Sequence, residues 1–368
     1  MSSDESRIDL TTLHVGPLQR LLGRGIERSE PGPYFERVGK LLLFRDPPDH
    51  TRLRALVNRA FTPRRVMDLE PRIEAIAHDT IDTFVADGEV ELMTQFAYPF
   101  PARVICELMG VPRNESHHII DHAPSLAGGL DPGPLLTPAA RDAANAACEA
   151  IVDYLDGLIR RRREDPGDDL LSALLDRHDG DALSHDELVD TVLLLLIAGH
   201  ETTANLLGNG IVVLLDQPEA LAELRADRDL DRAAVDELLR FDSPVQMTMR
   251  VATEGSLIDG RPVSPGSVVI LVTGAANRDG TVFEQPDRLD WHRGENPHVA
   301  FGGGLHYCLG AALARAEARI ALRALLDRLP NLVVAGEPLR RPSFTIRALS
   351  RLPLGWRHTP APVEGPLT

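Results

Sequence analysis

The clearest periodicity in the chain begins at Ser184. Ser184-x-x-Glu187 has the spacing of a capping box, and it stands directly ahead of the apolar run Val192 to Ala198. The pattern predicts one helix from about His185 to Asp216, with Pro218 marking its exit. At ~1.5 Å per residue such a helix spans roughly 48 Å, enough to cross a whole domain. Its rhythm breaks once, at Ala198-Gly199-His200-Glu201-Thr202-Thr203. Further helices are predicted after Asp46-Pro47-Pro48-Asp49, over 64–87 and 99–110, from about Ala139 to the basic run Arg160 to Arg163, from Asp168 to Asp176, from Asp231 to Arg240 and from Leu309 to Leu329. Extended segments are fewer: a short link from Val90 to Phe96, Val245 to Met249, a buried strand from Val268 to Val272 after the turn chemistry of Gly260 to Gly266, and short strands over 331–357. In residues 1–46, Leu13, Leu18, Leu21 and Leu22 suggest a short amphipathic helix that Gly23, Gly25, Pro31, Gly32 and Pro33 terminate, with no strand signal. The pattern reads as mainly α with a small β-rich part.

Composition supports that reading and narrows the partners. The 368 residues make one large domain or two, and 43% hydrophobic content supports a substantial core, with aromatics at only 4%. Lys and Arg number 39 against 55 Asp and Glu, a net −16, which argues against a nucleic-acid partner. Three cysteines, Cys106, Cys148 and Cys308, give no disulfide framework, so a reducing cytoplasm is expected. The opening MSSDESRIDL has neither a signal-type apolar stretch nor a membrane anchor.

Candidate chemistry concentrates in Phe301 to Arg315, FGGGLHYCLGAALAR. Glycines let the backbone take positive φ and let a flat object approach closely. A cysteine at the start of a helix meets unpaired N–H groups and the positive end of the dipole, which favour the thiolate. A soft, single-sulfur ligand beside small residues suits a metal carried by a large planar cofactor, such as haem iron. Taken singly, a lone cysteine is a small buried hydrophobe and a glycine run is a loop. At Gly199 to Thr202 a helix-breaking glycine, a buried acid and a hydroxyl coincide, and each costs stability unless it serves a purpose; Gly199 removes bulk, so that a ligand can touch the helix. Thr202 can donate and accept a proton and Glu201 can connect it to solvent; the alternative is a helix bent by a threonine bonding back to a carbonyl. His200 reads as a bystander. His117, His118 and His122 read as a surface face, Cys106 as core, and Arg160 to Arg163 as a solvated helix end.

The string Phe301-Gly302-x-Gly304-x-His306-x-Cys308-x-Gly310 resembles the haem-binding loop of the cytochrome P-450 superfamily, of the soluble bacterial type. Ala198-Gly199-x-Glu201-Thr202 resembles its oxygen-activating motif, and Glu237-x-x-Arg240 its structural ion network, with Arg288 as the matching downstream arginine. The resemblance covers about 47–357, leaving 1–46 as a shortened, loop-rich N-terminal region and 358–368 as a tail. It implies haem b with Cys308 as axial ligand and Gly302 and Gly310 in the cofactor loop. His50, Arg54, Arg250 and His306 would be partners of the propionates, and Glu201 and Thr202 the catalytic pair. It also implies a mobile lid from Gly128 to Pro138, a structural role for Asn277-Arg278-Asp279, and pocket contacts from Val245 to Met249 and from Ser343 to Arg347. The implied reaction inserts one atom of O2 into a small, largely apolar organic substrate by hydroxylation or epoxidation, as in secondary metabolism. Electrons would come from a separate ferredoxin and ferredoxin reductase. Oxidative C–C or C–O coupling at the same centre is the alternative enzyme reading, and a haem-binding sensor the non-enzymatic one.

Overall fold

Nearly every periodic stretch becomes a helix in the computed structural model, which describes residues 13–14, 32–129, 136–176, 181–343 and 345–356. The helices that carry the argument are α1 (Asp49–Ala60), α2 (Pro63–Ile81), α3 (Pro99–Leu108), α4 (Pro138–Glu164), α5 (His185–Leu215), α6 (Asp231–Phe241) and α7 (Ala311–Arg328). The predicted capping box of α5 is present: Glu187 N–H donates to the Ser184 hydroxyl, and the Glu187 carboxylate accepts from Ser184 N–H. Helix α5 is 31 residues long and apolar enough to cross a membrane, yet 72% of its most apolar window is buried. It is the core helix, packed against α3, α4, α6 and α7, while α7 also lies along α2.

The β structure is small and lies in separate patches. Strand β1 (Leu13–His14) pairs antiparallel with β2 (Thr248–Ala252), which pairs with β3 (Val268–Leu271). Strands β4 (Leu339–Arg341) and β5 (Ala348–Arg351) form a hairpin whose register places Arg341 opposite Ala348. The chain is mainly α, with small sheets.

Four expectations are corrected. Leu13 is in a strand, opposite Ala252, because an open sheet edge offers backbone partners that local leucine spacing cannot reveal; Leu18, Leu21 and Leu22 lie outside the described residues. The extended link stops early: only Glu89–Glu91 is a strand, and Met93–Ala97 coils with a five-residue hydrogen bond, Tyr98 N–H to Met93 O at 2.9 Å. There Phe96 stacks on Phe100, ring centroids 5.3 Å apart and planes nearly parallel, so burial of the aromatic decided the backbone. The strand at Val268 is not buried, since Val268, Ile270 and Val272 expose almost half their surface. Apolar content alone cannot say whether a second layer covers a sheet face.

The fourth correction concerns the ion network. Glu237 of α6 is fully buried, and Arg240 grips it with two hydrogen bonds of 2.8 Å. The second guanidinium belongs to Arg293, whose Nε lies 3.1 and 3.2 Å from the two carboxylate oxygens. Arg288 contributes only its carbonyl, which accepts from both arginines at 3.1 Å. Asp290 N–H and the Asn296 amide complete the carboxylate's shell at 2.9 and 3.2 Å. Arg240 further donates to the carbonyls of Asn277 and Pro286, and Arg293 to those of Glu284 and Gln285. Two fixed cations thus fold the strand-poor stretch between Asn277 and Asn296 against α6. Removing one member of a buried, hydrogen-bonded charge group costs about 3–5 kcal/mol, because the remaining charge is stranded. Arg240→Ala is therefore expected to lower the unfolding free energy by that amount in denaturant titration. Arg288→Ala keeps the carbonyl and should change it by less than about 0.5 kcal/mol; equal losses would contradict the assignment to Arg293.

Candidate active site

Along α5 almost every side chain from Leu188 to Leu214 is buried, except on one short face. There Ala198 is exposed and Leu194, Leu195, Gly199 and Thr202 are half-buried, so the predicted break in rhythm is an opening in the wall of the core. Gly199 plays a different part from the one expected. A Cβ at 199 would stand 2.9 Å from Ile105 Cδ1, so the glycine admits the side chain of α3. The Thr202 hydroxyl donates to Ala198 O at 2.7 Å. That is the back-bonded geometry, and it leaves the hydroxyl oxygen able to accept a proton from the open side.

Glu201, one position along, points elsewhere, since neighbours on a helix diverge by about 100°. Its carboxylate is 1% exposed and pairs with the guanidinium of Arg341 on β4. On this side the way from Glu201 to solvent passes Arg341, whose side chain is 30% exposed. Tyr98 lies close by and donates its phenol hydrogen to Leu349 O at 2.9 Å; burial first, then the Glu201 charge, push its pKa up. His200 is buried beside Tyr98, and burial lowers its pKa to about 4. Burial thus favours the neutral imidazole, with a single N–H, over the imidazolium.

The cysteine loop is shaped by two glycines. Gly302 and Gly304 have φ of +69° and +64°, the left-handed region that costs other residues about 1–2 kcal/mol. Cys308 N–H donates to Phe301 O at 2.9 Å and Tyr307 N–H to Gly304 O at 3.1 Å, closing the loop. Helix α7 starts at Ala311, two residues later than predicted. The loop is tied to α6 through Asp236, which accepts from Arg315 Nε at 2.7 Å and lies 3.2 Å from His298 Nε2. The Arg315 guanidinium also covers the Phe301 ring at 4.5 Å, and Asn277 Oδ1 accepts from Val299 N–H at 2.7 Å. The thiol itself differs from expectation. Burial raises the Cys308 pKa, and the Gly310 N–H, Arg54 and Arg315 only partly oppose it. Desolvation wins in the protein alone; a coordinated metal ion would remove the proton outright.

Four cationic or imidazole side chains come together from three parts of the chain. His50 and Arg54 stand on one face of α1, Arg250 on β2, and His306 in the cysteine loop, with the His50 and His306 rings 4.3 Å apart. Arg54 reaches the loop directly, donating to Tyr307 O at 2.8 Å. His50 is buried, and neither of its ring nitrogens has a hydrogen-bond partner among the described residues. Burial lowers the pKa of His50 and Arg250, and burial with the positive neighbours takes His306 to about 4. The carboxylate of Asp46 acts on His50, His306 and Arg250 in the opposite sense. A buried imidazole without partners, such as His50, is costly, while Arg250, half-buried, donates to Thr248 Oγ1 and Met249 O. A planar cofactor bearing two carboxylates, placed against Cys308, fits that donor set. Gly310 suits it too: its φ is unstrained, and a Cβ there would meet nothing within 4 Å, so its smallness serves whatever lies on that side.

Elsewhere, His118 stacks on Tyr154 at 4.9 Å, and Cys106 is buried in the core. The lid expected from Gly128 to Pro138 is centred on residues 130–135, and Phe344 falls within Ser343 to Arg347; all of these lie outside the described residues. Arg293, Arg315, Asp236 and Arg341 were missed. Each is a charged residue in a polar-looking stretch, and nothing in local spacing separates a buried ion pair from a solvated one.

The family profile described as Cytochrome P450 matches residues 29–347. Cytochrome P450 107B1 of Saccharopolyspora erythraea is 45% identical over 92% of this chain and 83% of its own length. Vitamin D(3) 25-hydroxylase of Pseudonocardia autotrophica is 44% identical over 85% of this chain and 77% of its own. Among solved structures, P450BioI in complex with hexadec-9Z-enoic acid ligated acyl carrier protein superposes with a TM-score of 0.82 at 40% identity, covering 88% of this chain and 84% of that one.

The loop geometry separates two kinds of glycine. Gly304→Ala should destabilise the cofactor-free protein by about 1–2 kcal/mol, the cost of the left-handed region. Gly310→Ala should leave that stability within about 0.5 kcal/mol while weakening haem uptake, read by absorbance titration. Equal thermal shifts with equal haem affinity would contradict this division.

Proposed function

Because the chain belongs to the cytochrome P450 family, a family of haem b-binding oxidoreductases, we propose that it inserts one oxygen atom from O2 into a small, largely apolar organic molecule, by hydroxylation or epoxidation. The observation that carries the site assignment is the convergence of Cys308 with the buried His50 and the half-buried Arg54, Arg250 and His306, a sulfur donor beside donors that suit two carboxylates. Cys308 Sγ would hold the haem iron, His50, Arg54, Arg250 and His306 would take its two carboxylates, and Gly302, Gly304 and Gly310 would leave room for it beside the loop. Held by a thiolate, the haem would supply the chemistry of O–O bond cleavage.

The rest of the mechanism concerns protons and water. Thr202 Oγ1 gives up its hydrogen bond to Ala198 O and delivers its proton at the open face of α5. The Glu201 carboxyl group, turned toward Arg341 at rest, swings toward Thr202 to restore that proton. Leu194, Leu195 and Ala198 keep that face apolar, which favours an apolar substrate. Vitamin D3, named in one relative, and the hexadec-9Z-enoyl chain carried in the P450BioI complex are both apolar molecules, in keeping with this reading. Electrons come singly from a ferredoxin and its reductase, and a cytoplasmic location is part of the proposal.

Cys308→Ala should abolish the thiolate-type absorption band of the reduced, CO-treated protein; an unchanged spectrum would overturn the ligand assignment. Thr202→Ala should raise the peroxide released per electron pair consumed, by an order of magnitude or so if the hydroxyl acts as a general acid–base group. Normal coupling in that variant would remove Thr202 from the proton path.

A further inference from the structure

Glu201 sits in the middle of the core helix, and a carboxylate so placed needs a counter-charge. The hairpin of β4 and β5 supplies it in a held position. Leu349 N–H donates to Asn205 Oδ1 at 2.8 Å, Leu349 O accepts from the Tyr98 hydroxyl at 2.9 Å, and Asn205 Nδ2 donates to Glu201 O at 2.9 Å. The first fastens the hairpin to α5 one helical turn from Glu201, the second ties it to Tyr98, the third steadies Asn205 within α5, and Ala348, opposite Arg341 in the ladder, adjoins them. Charge is sorted as well. Asp242 takes Arg347 at 2.7 Å and Arg340 at 3.9 Å, and Arg340 also donates to Asn209 Oδ1 at 3.1 Å. Successive residues of a strand point to opposite faces, so Arg341 alone of the adjacent pair is directed to Glu201.

We propose that Arg341 is the positioning residue of the proton path: it holds the Glu201 carboxylate charged and oriented in a dry site, and its partly exposed guanidinium is where that carboxylate meets water. The proposal rests on the Glu201–Thr202 reading above. Arginine does not itself give up a proton. Its part is to keep a carboxylate available to be protonated from solvent and emptied again toward Thr202. With a neutral residue at 341, the buried carboxyl group lacks this counter-charge and is best accommodated by retaining its proton, which ends the cycling.

The difference is visible in how oxygen is reduced. Two electrons and two protons convert O2 to H2O2; four of each convert it to two waters, and the second course needs continued proton delivery. The experiment uses haem-loaded protein without added substrate, with NADPH, a ferredoxin reductase and a ferredoxin as electron source, and reads peroxide formed per NADPH consumed. Glu201→Gln should raise this ratio several-fold over the wild type. Arg341→Gln should reach the same level, the double variant should go no higher, and Arg341→Lys, which keeps the charge, should fall back toward the wild type. In the cofactor-free protein, the melting temperatures of the two single variants and the double should be non-additive, as expected for groups in contact. If Glu201→Gln raises the ratio and Arg341→Gln leaves it at the wild-type level, the positioning role is overturned and the relay stands. If Glu201→Gln leaves it unchanged, the relay reading fails and this proposal with it. Additive melting shifts would overturn the contact on which it rests.

Discussion

A single buried carboxylate, Glu237, sets the frame in which the cysteine loop can exist. The stretch from Asn277 to Val299 contains little regular structure, so its backbone carbonyls have few partners of their own. Arg240 and Arg293 supply donors to those carbonyls and are themselves neutralised in part by Glu237. Such a group adds little net stability compared with a well-packed apolar core, because its desolvation is expensive. What it provides is geometry. Charge-assisted bonds are directional, and a planar guanidinium addresses several oxygens at fixed angles. The loop that ends in Cys308 therefore leaves α6 along one path, and Asp236 with Arg315 repeats the device closer to the sulfur.

The site stands at the meeting of three pieces with different demands. Helix α5 must be apolar to cross the core, yet carries Glu201 and Thr202 midway. The cysteine loop is thin by distinct means: Gly302 and Gly304 by backbone conformation, Gly310 by lacking a side chain where a Cβ would meet nothing within 4 Å. Helix α1, with β2, brings cations to a region that also contains the sulfur. The low-lying pKa of His306 and the raised pKa of the Cys308 thiol have the same main cause, burial.

Much of the site was legible before any coordinates. Cys308, the glycines around it, His306, and the Glu201–Thr202 pair each break a local rule, and together they recur in the order of a known family. The helix boundaries were legible for a related reason: capping boxes, prolines and a 3.6-residue rhythm are written locally. Less was legible where partners lie far apart in sequence. Arg288 and Arg293 look alike in a string of polar residues, and only folding determined that the side chain of the second, and the carbonyl of the first, face Glu237. Gly199 looked like a concession to a ligand and proved to be room for Ile105.

By itself, then, the order of residues determined most of the long helices, where a cysteine follows a glycine-rich turn and which acid and hydroxyl are neighbours on the core helix, because these depend on contacts within a few turns. The tertiary structure alone decided that Glu201 faces Arg341 across 140 residues, that Leu13 joins a sheet, and that the strand at Val268 shows one side outward. Each depends on which surfaces meet after collapse, and burial changes the energy of a charge or an apolar face by more than any local preference can signal.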